Sequence, residues 1–199
     1  MTSQWIMSFD KLMKEEEVKV LRTTLEAGAI VAKSKGQQGA VRDQCIIELA
    51  LGTGLRVSEI SQLKLVDIDL SHGGNSLIVR KGKGSKQRVV KFSSKLKKLI
   101  LSYLDYRKRD SEYLFPSERQ PYMSSNAIQK VFKKWASRSQ LPSRYSIHSC
   151  RHYYASALLR VSKNLRLVQQ QLGHASPHTT TVYAQVLDEE INEAVEKLD

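Results

Sequence analysis

The sequence lacks long apolar runs and has few cysteines. No stretch approaches the roughly 18 consecutive apolar residues that a membrane-spanning helix needs. Residues 1–17 contain no basic flank followed by an apolar stretch and a cleavage site, so they do not resemble a secretory signal. The two cysteines, Cys45 and Cys150, lie far apart, a pattern typical of free thiols in a reducing compartment. These absences favour a cytoplasmic globular protein without a membrane partner.

Motifs for metal and nucleotide binding are absent as well. The sequence contains no CxxC pair, no HExxH and no GxxxxGK[ST] phosphate loop. Zinc remains the chemical alternative to consider, because several possible ligands lie near one another in the sequence: His148, Cys150, His152, His174 and His178. Their spacing is not that of usual zinc sites. The sequence therefore predicts neither a metal nor a cofactor.

Positive charge is abundant and unevenly distributed. The 32 Lys and Arg residues against 20 Asp and Glu give a net charge of +12. Residues 184–199 contain one basic and six acidic residues, so residues 1–183 contain 31 basic and 14 acidic residues and carry +17. A domain this basic favours a polyanionic partner such as nucleic acid, although an inert basic surface has the same composition.

The spacing of apolar residues predicts a mainly α-helical fold with a small antiparallel three-stranded β-sheet, an α+β class. The sequence contains no internal repeat. Residues 27–40, rich in Gly, Ser and Gln, are predicted to form a loop. Strands are expected at 66–70, 76–80 and 88–92, the last two joined by a very basic turn. Helices are expected at 11–25, 41–51, 56–63, 95–106, 125–137, 148–160, 165–172 and 184–198.

Five short segments carry the residue types that phosphodiester chemistry requires. They are, in order, Thr53-Gly54-Leu55-Arg56-Val57-Ser58-Glu59, Gly82-Lys83-Gly84, His148-Ser149-Cys150-Arg151-His152, Leu172-Gly173-His174 and Thr179-Thr180-Thr181-Val182-Tyr183. Each alone has an ordinary structural explanation, such as an ion pair at a helix start or a half-buried aromatic. Together and in this order, over roughly residues 40–186, they resemble the tyrosine recombinase (phage integrase) family.

The resemblance implies a role for each reacting group. Arg56 and Arg151 would present planar cationic forks to the non-bridging oxygens as negative charge builds on them. Loss of one such donor typically costs about 10²–10³ in rate. The imidazoles titrate near neutrality; by resemblance, His148 assists the nucleophile and His174 stabilises the transition state. Tyr183 would be the nucleophile.

Further residues are assigned auxiliary roles. Lys83 in the hairpin turn best matches the family's general acid, which protonates the departing 5′-oxygen, with Lys81 and Lys86 as close alternatives. Glu59 matches an auxiliary acidic position that orients a catalytic cation. Lys81, Lys86 and Arg88 are candidates for contacts with DNA phosphates.

The implied activity is site-specific recombination through a 3′-phosphotyrosyl intermediate, without metal or ATP. The partners would be double-stranded DNA and further copies of the chain. We expect a monomer in solution and a tetramer on DNA. We also expect a cytoplasmic, nucleoid-associated location, with the gene carried by a prokaryote, a phage or another mobile element. A non-catalytic DNA-binding protein of the same fold and a topoisomerase-like nicking and religating enzyme are the alternatives.

The resemblance also suggests a domain plan. Residues 1–183 would form the catalytic domain, with residues 1–10 as a flexible extension. Residues 184–199 would form an amphipathic helix that docks on a neighbouring protomer or on its own domain. The N-terminal helical domain usual in the family has no counterpart before Lys11, as expected of a shortened chain or a naturally short recombinase.

Overall fold

The computed structural model describes residues 11–80, 87–173 and 195–196. Within them lie seven α-helices and one sheet of three strands, which confirms the predicted fold class. The helices are α1 (Glu15–Ser34), α2 (Gly39–Thr53), α3 (Val57–Ser61), α4 (Ser94–Tyr106), α5 (Ser125–Arg138), α6 (Ile147–Ser162) and α7 (Leu165–Leu172). The strands are β1 (Ile68–Asp69), β2 (Ser76–Val79) and β3 (Arg88–Lys91). The predicted helix at 184–198 lies outside the described residues apart from positions 195 and 196.

The sheet is antiparallel throughout, in the order β1-β2-β3. Ser76 of β2 pairs with Lys91 at the open end of the β2–β3 hairpin, and Val79 pairs with Arg88 at its other end. Residues 81–86 connect the two strands at that end. The first strand is shorter than predicted because residues 65–67 form a 3₁₀ turn. This register places Arg88 beside the basic turn.

Helix α2 forms the centre of the apolar core. It packs against α1, α4 and α6, and most of its residues are buried. Large side chains complete the core: Trp135, Tyr103, Tyr145, Phe115 and Phe132 are each almost fully buried. One buried carboxylate, Asp43, accepts hydrogen bonds from Trp135 Nε1 (3.0 Å) and from Lys134. Because a buried charge must be paired, this cluster ties α2 firmly to α5.

The predicted loop at 27–40 is wrong over most of its length, because α1 continues to Ser34. The small residues of this segment serve helix packing. A Cβ at Gly28 would lie 2.2 Å from Trp135 Cη2, so only glycine lets α1 approach the indole of α5. Ala29 and Ala32 are buried on the same helix. The connection between α1 and α2 is therefore confined to residues 35–38.

A second, smaller apolar cluster joins α6 to α7. Ala155, Leu159, Val168 and Leu172 are its buried members, and Tyr154 packs against them. This cluster packs α7 against the second half of α6. Of the helices that the structure describes, none is long and apolar enough to span a bilayer.

Candidate active site

Arg151 lies where three of the sequence motifs meet. It occupies the second turn of α6 and is only 7% exposed. Its Nη1 donates a hydrogen bond to the carbonyl oxygen of Gly54 (2.5 Å), and its Nη2 donates to that of Leu172 (2.8 Å). Both carbonyls belong to the C-terminal ends of helices, where the partial negative charge favours a cation. The guanidinium is thereby held in one orientation by backbone groups.

Two glycines make this arrangement possible. Gly54 and Gly173 follow α2 and α7 in the left-handed conformation, with φ of 62° and 65°. A Cβ at Gly54 would lie 2.5 Å from Tyr154 Cδ1. Glycine therefore lets both helices end abruptly at the point where Arg151 receives their carbonyls.

Arg56 follows Gly54 by two residues and is the N-cap of α3. Its side chain is 28% exposed, and its Nη1 donates to Glu59 Oε1 at 3.0 Å. Glu59 Oε2 accepts a hydrogen bond from the backbone N–H of Arg56 at 2.8 Å. The carboxylate thus fixes both the backbone and the side chain of Arg56, while the guanidinium still reaches solvent.

His148 lies in the first turn of α6, close enough to the two arginines for their charges to act on it. Burial lowers the pKa of His148, and the positive charges of Arg151 and Arg56 lower it further. At neutral pH the imidazole is therefore uncharged and able to accept a proton. His148 and Arg151, three residues apart on α6, therefore both lie near Arg56, and these three side chains form the candidate pocket.

Glu59 is the acidic centre of the pocket. Its side chain is 5% exposed and accepts two hydrogen bonds of 2.8 Å from Arg88 Nη1 and Nη2, in addition to those from Arg56. Burial raises the pKa of Glu59, but the hydrogen bonds and charges of Arg88 and Arg56 outweigh it, leaving the pKa below its ordinary value. The carboxylate is therefore ionised at neutral pH and binds both arginines.

Several predicted site residues lie outside the described residues: Lys81, Lys83, Lys86, His174 and Tyr183. Residues 80 and 87 flank the lysine turn, and Gly173 precedes His174. No group of three or more His, Cys, Asp and Glu side chains with metal-binding geometry occurs in the described part of the chain.

Comparison with known proteins shows the family of the chain. A model of the phage integrase family matches residues 11–190. The chain belongs to the phage integrase family. The resemblance inferred from the five motifs is thereby confirmed.

Similar sequences carry recombinase names. The chain is 36% identical over 190 residues to tyrosine recombinase XerA of Pyrococcus furiosus, covering 94% of this chain and 61% of that protein. It is 36% identical over 148 residues to tyrosine recombinase XerC of Psychromonas ingrahamii, covering 72% of this chain and 48% of that protein. The chain spans about half to three-fifths of the length of these relatives.

Solved structures of this family share the fold. A crystal structure of XerA recombinase superposes with a TM-score of 0.74 at 29% identity, over 92% of this chain and 65% of that one. A pre-cleavage complex of XerH recombinase bound to difH substrate superposes with a TM-score of 0.73 at 25% identity, over 87% of this chain and 50% of that one.

Sequence reasoning missed the backbone groups of the site. The carbonyls of Gly54 and Leu172, which orient Arg151, have no signature in residue identity. It also missed Gln171, which ties α7 to β3 through both its backbone and its side chain. Its position just before Leu172-Gly173-His174 was the available signal.

Proposed function

We propose that the chain is a site-specific DNA recombinase that cuts and rejoins DNA through a covalent phosphotyrosine. The observation that carries the proposal is the fixed guanidinium of Arg151, held by the carbonyls of Gly54 and Leu172 beside Arg56 and His148. Two arginines and a neutral imidazole in one pocket suit a phosphodiester, whose transition state gains negative charge. Membership of the phage integrase family supports the same chemistry.

The proposed reaction conserves the energy of the phosphodiester. The phenol oxygen of Tyr183 attacks phosphorus, its proton passes to His148, and a 3′-phosphotyrosyl bond forms as the bond from phosphorus to the 5′-oxygen breaks. Lys83 protonates that oxygen, with Lys81 and Lys86 as alternative donors. Rejoining is the reverse attack by a 5′-hydroxyl of the partner strand. The proposed exchange therefore needs no ATP, and none of its steps uses a metal.

The proposed stabilisation of this transition state comes from cations that are positioned before DNA arrives. Arg56, Arg151 and His174 would bind the non-bridging oxygens. A phenol with an ordinary pKa near 10 is a weak nucleophile at neutral pH, so it needs a base nearby. The lowered pKa of His148 keeps its imidazole unprotonated and suited to that task.

We infer that the substrate is double-stranded DNA in a complex of four protomers, formed from monomers at the nucleoid. The high net charge of +12 supports an anionic partner. By the same proposal, residues 1–183 are the catalytic unit, with residues 1–10 as an extension, and residues 184–199 link neighbouring protomers. The XerH structure in complex with difH substrate shows that a relative of this fold binds DNA.

The test is covalent capture on a nicked duplex of the cognate site. Cleavage next to the nick releases a short fragment, so the protein remains attached to DNA and migrates as an adduct in a denaturing gel. We expect the adduct with the unaltered chain and with Tyr122→Phe, a control tyrosine outside the pocket, and none with Tyr183→Phe. An adduct of equal yield in Tyr183→Phe would refute the nucleophile.

A second variant separates catalysis from binding. Arg151→Lys keeps the charge but cannot donate to two carbonyls and a phosphate with one planar fork. We expect DNA affinity to persist while the cleavage rate falls by about 10²–10³. Equal loss of affinity and cleavage would indicate a structural role, and DNA binding without any adduct in the unaltered chain would indicate a non-catalytic protein. Relaxation of supercoiled DNA without partner exchange would instead indicate a topoisomerase-like enzyme.

A further inference from the structure

The side chain of Arg88, predicted above as a contact for DNA phosphate, faces the protein interior. It is 10% exposed, and its Nη1 and Nη2 donate to the two oxygens of Glu59 at 2.8 Å each. A planar fork matched to a carboxylate in this way is geometrically specific. Because the same carboxylate holds Arg56, the three side chains form one continuous group, Arg56–Glu59–Arg88.

Arg88 also binds the end of α7. Its Nε donates to the carbonyl oxygen of Gln171 at 3.1 Å. Gln171 Oε1 in turn accepts a hydrogen bond from the backbone N–H of Lys91 at 3.1 Å, so β3 and α7 are joined at two points. A Cβ at Gly173 would lie 2.7 Å from Arg88 Cδ, which shows how closely the backbone of α7 approaches this side chain.

These contacts connect three segments that carry proposed reacting groups. Arg88 begins β3 and follows Lys83 by five residues in the sequence. Gln171 and Gly173 immediately precede His174. Glu59 fixes Arg56. One side chain therefore joins the start of β3 and the end of α7 to the carboxylate that holds Arg56.

We propose that Arg88 is a positioning residue for strand cleavage. It fixes the start of β3 and the C-terminal end of α7 against Glu59 and Arg56, the points next to which Lys83 and His174 stand in the sequence, and it does so without contacting DNA. This inference rests on the proposed recombinase function. It assigns Arg88 an internal role, and it predicts that Arg88 variants affect the rate of cleavage more than the affinity for DNA.

Salt dependence separates this role from a phosphate contact. Each direct contact between a cation and a DNA phosphate contributes about −0.9 to the slope of log affinity against log salt. For Arg88→Gln we expect the slope of the unaltered chain. A slope shallower by about one contact overturns the proposal. The measurement needs only DNA binding, so it remains informative if cleavage is absent.

The rate of adduct formation gives the second measurement. A displacement of about 1 Å in a reacting group can cost about 10² in rate, so we expect Arg88→Lys to form the adduct about 10²-fold more slowly at saturating DNA. Arg80→Lys is the matched control: Arg80 lies at the other side of the same hairpin, 58% exposed, and pairs with Asp67 at 2.5 Å. We expect its rate to equal that of the unaltered chain. Equal rates for Arg88→Lys and Arg80→Lys contradict the proposal.

A modified substrate identifies what Arg88 positions. When sulfur replaces the 5′-bridging oxygen, the leaving thiolate departs without a proton, so the general acid on the hairpin is no longer needed. We expect the defect of Arg88→Lys to be smaller on this substrate than on ordinary DNA. Equal defects on both substrates overturn the link between Arg88 and the lysine hairpin.

A double variant separates a positioning role from a loss of activity caused by misfolding. Glu59→Gln combined with Arg88→Gln removes both charges, so neither is left buried without its partner. If the two residues act as a unit, the double variant loses no more rate than the worse single variant. Multiplicative losses overturn the unit. If the unaltered chain forms no adduct on either substrate, the recombinase function fails, whereas active Arg88 variants refute only the positioning role.

Discussion

Replacing His152 by glutamine should change how the stability of the protein responds to acid. His152 follows Arg151 on α6, and burial, together with the charges of His148, Arg151 and Lys11, lowers its pKa to about 4. An unfolded histidine has a pKa near 6.5. Between these two values, the unfolded chain takes up a proton at this position and the folded chain does not.

The sign of the effect follows from this difference. Because the folded-state pKa is depressed, the contribution to stability is fully present above pH 6.5 and is lost as the pH falls towards 4. With pKa values of about 4 and 6.5, proton linkage removes about 2 kcal/mol from the free energy of unfolding between pH 8 and pH 5. For a chain of this size, that corresponds to a decrease in Tm of about 4–8 °C.

Urea unfolding at pH 8, 7, 6 and 5 measures the effect. Glutamine does not titrate, so any packing lost in His152→Gln lowers stability by a constant amount at every pH. We expect the unaltered chain to lose about 2 kcal/mol more than His152→Gln between pH 8 and pH 5. His72→Gln, which removes an exposed imidazole, is the control. Parallel curves for the unaltered chain and His152→Gln would refute the argument.

Three further predictions concern the scaffold of the site. Gly54→Ala should lower the free energy of unfolding by about 2–4 kcal/mol in urea, because the new Cβ adds backbone strain and a steric clash. Gly36→Ala has the same φ of 62° but open space around it and should cost about 1 kcal/mol, so equal costs would show that the clash does not contribute. Asp43→Asn should cost about 3 kcal/mol by the same measurement, because a buried carboxylate between cations is lost; a cost below about 1 kcal/mol would contradict that pairing. Burial raises the pKa of Cys45 and Cys150, so neither thiol should react with iodoacetamide in the native protein at pH 8, while both should react in denaturant. Mass spectrometry measures the labelling, and rapid labelling of the native protein would contradict this prediction.

The sequence determined the fold class because apolar periodicity is local. The predicted helix 165–172 has the same bounds in the structure, and the three predicted strands pair in the expected antiparallel order. The loop at 27–40 was predicted from its content of Gly, Ser and Gln, and it was wrong over most of its length because α1 continues through Gly28 to Ser34. In the structure Gly28 packs directly against Trp135, which lies more than 100 residues later in the chain. The local sequence pattern contains no information about such a distant neighbour.

The candidate site, like the fold, was predictable from the sequence only in part. The motif spacing predicted Arg56, His148 and Arg151 as site residues, and the structure places both arginines close enough to His148 for their charges to lower its pKa. It did not distinguish the two possible surroundings of Arg88. An arginine beside a lysine-rich turn has the same sequence whether it faces DNA or a buried carboxylate. Only the fold, which places α3 and the end of α7 against β3, decides between them.

The burial of Arg151 shows why the motifs must occur together. A guanidinium at 7% exposure loses most of its hydration, a cost that is offset only where good acceptors surround it. Here two acceptors are carbonyls at the ends of α2 and α7, so the cation is stable only when both helices stop where Gly54 and Gly173 stop them. The same two helix ends lead directly to Arg56 and to His174 in the chain. The interaction that stabilises the buried cation therefore also fixes the two helix ends after which Arg56 and His174 follow in the sequence, so the fold itself orients the guanidinium of Arg151.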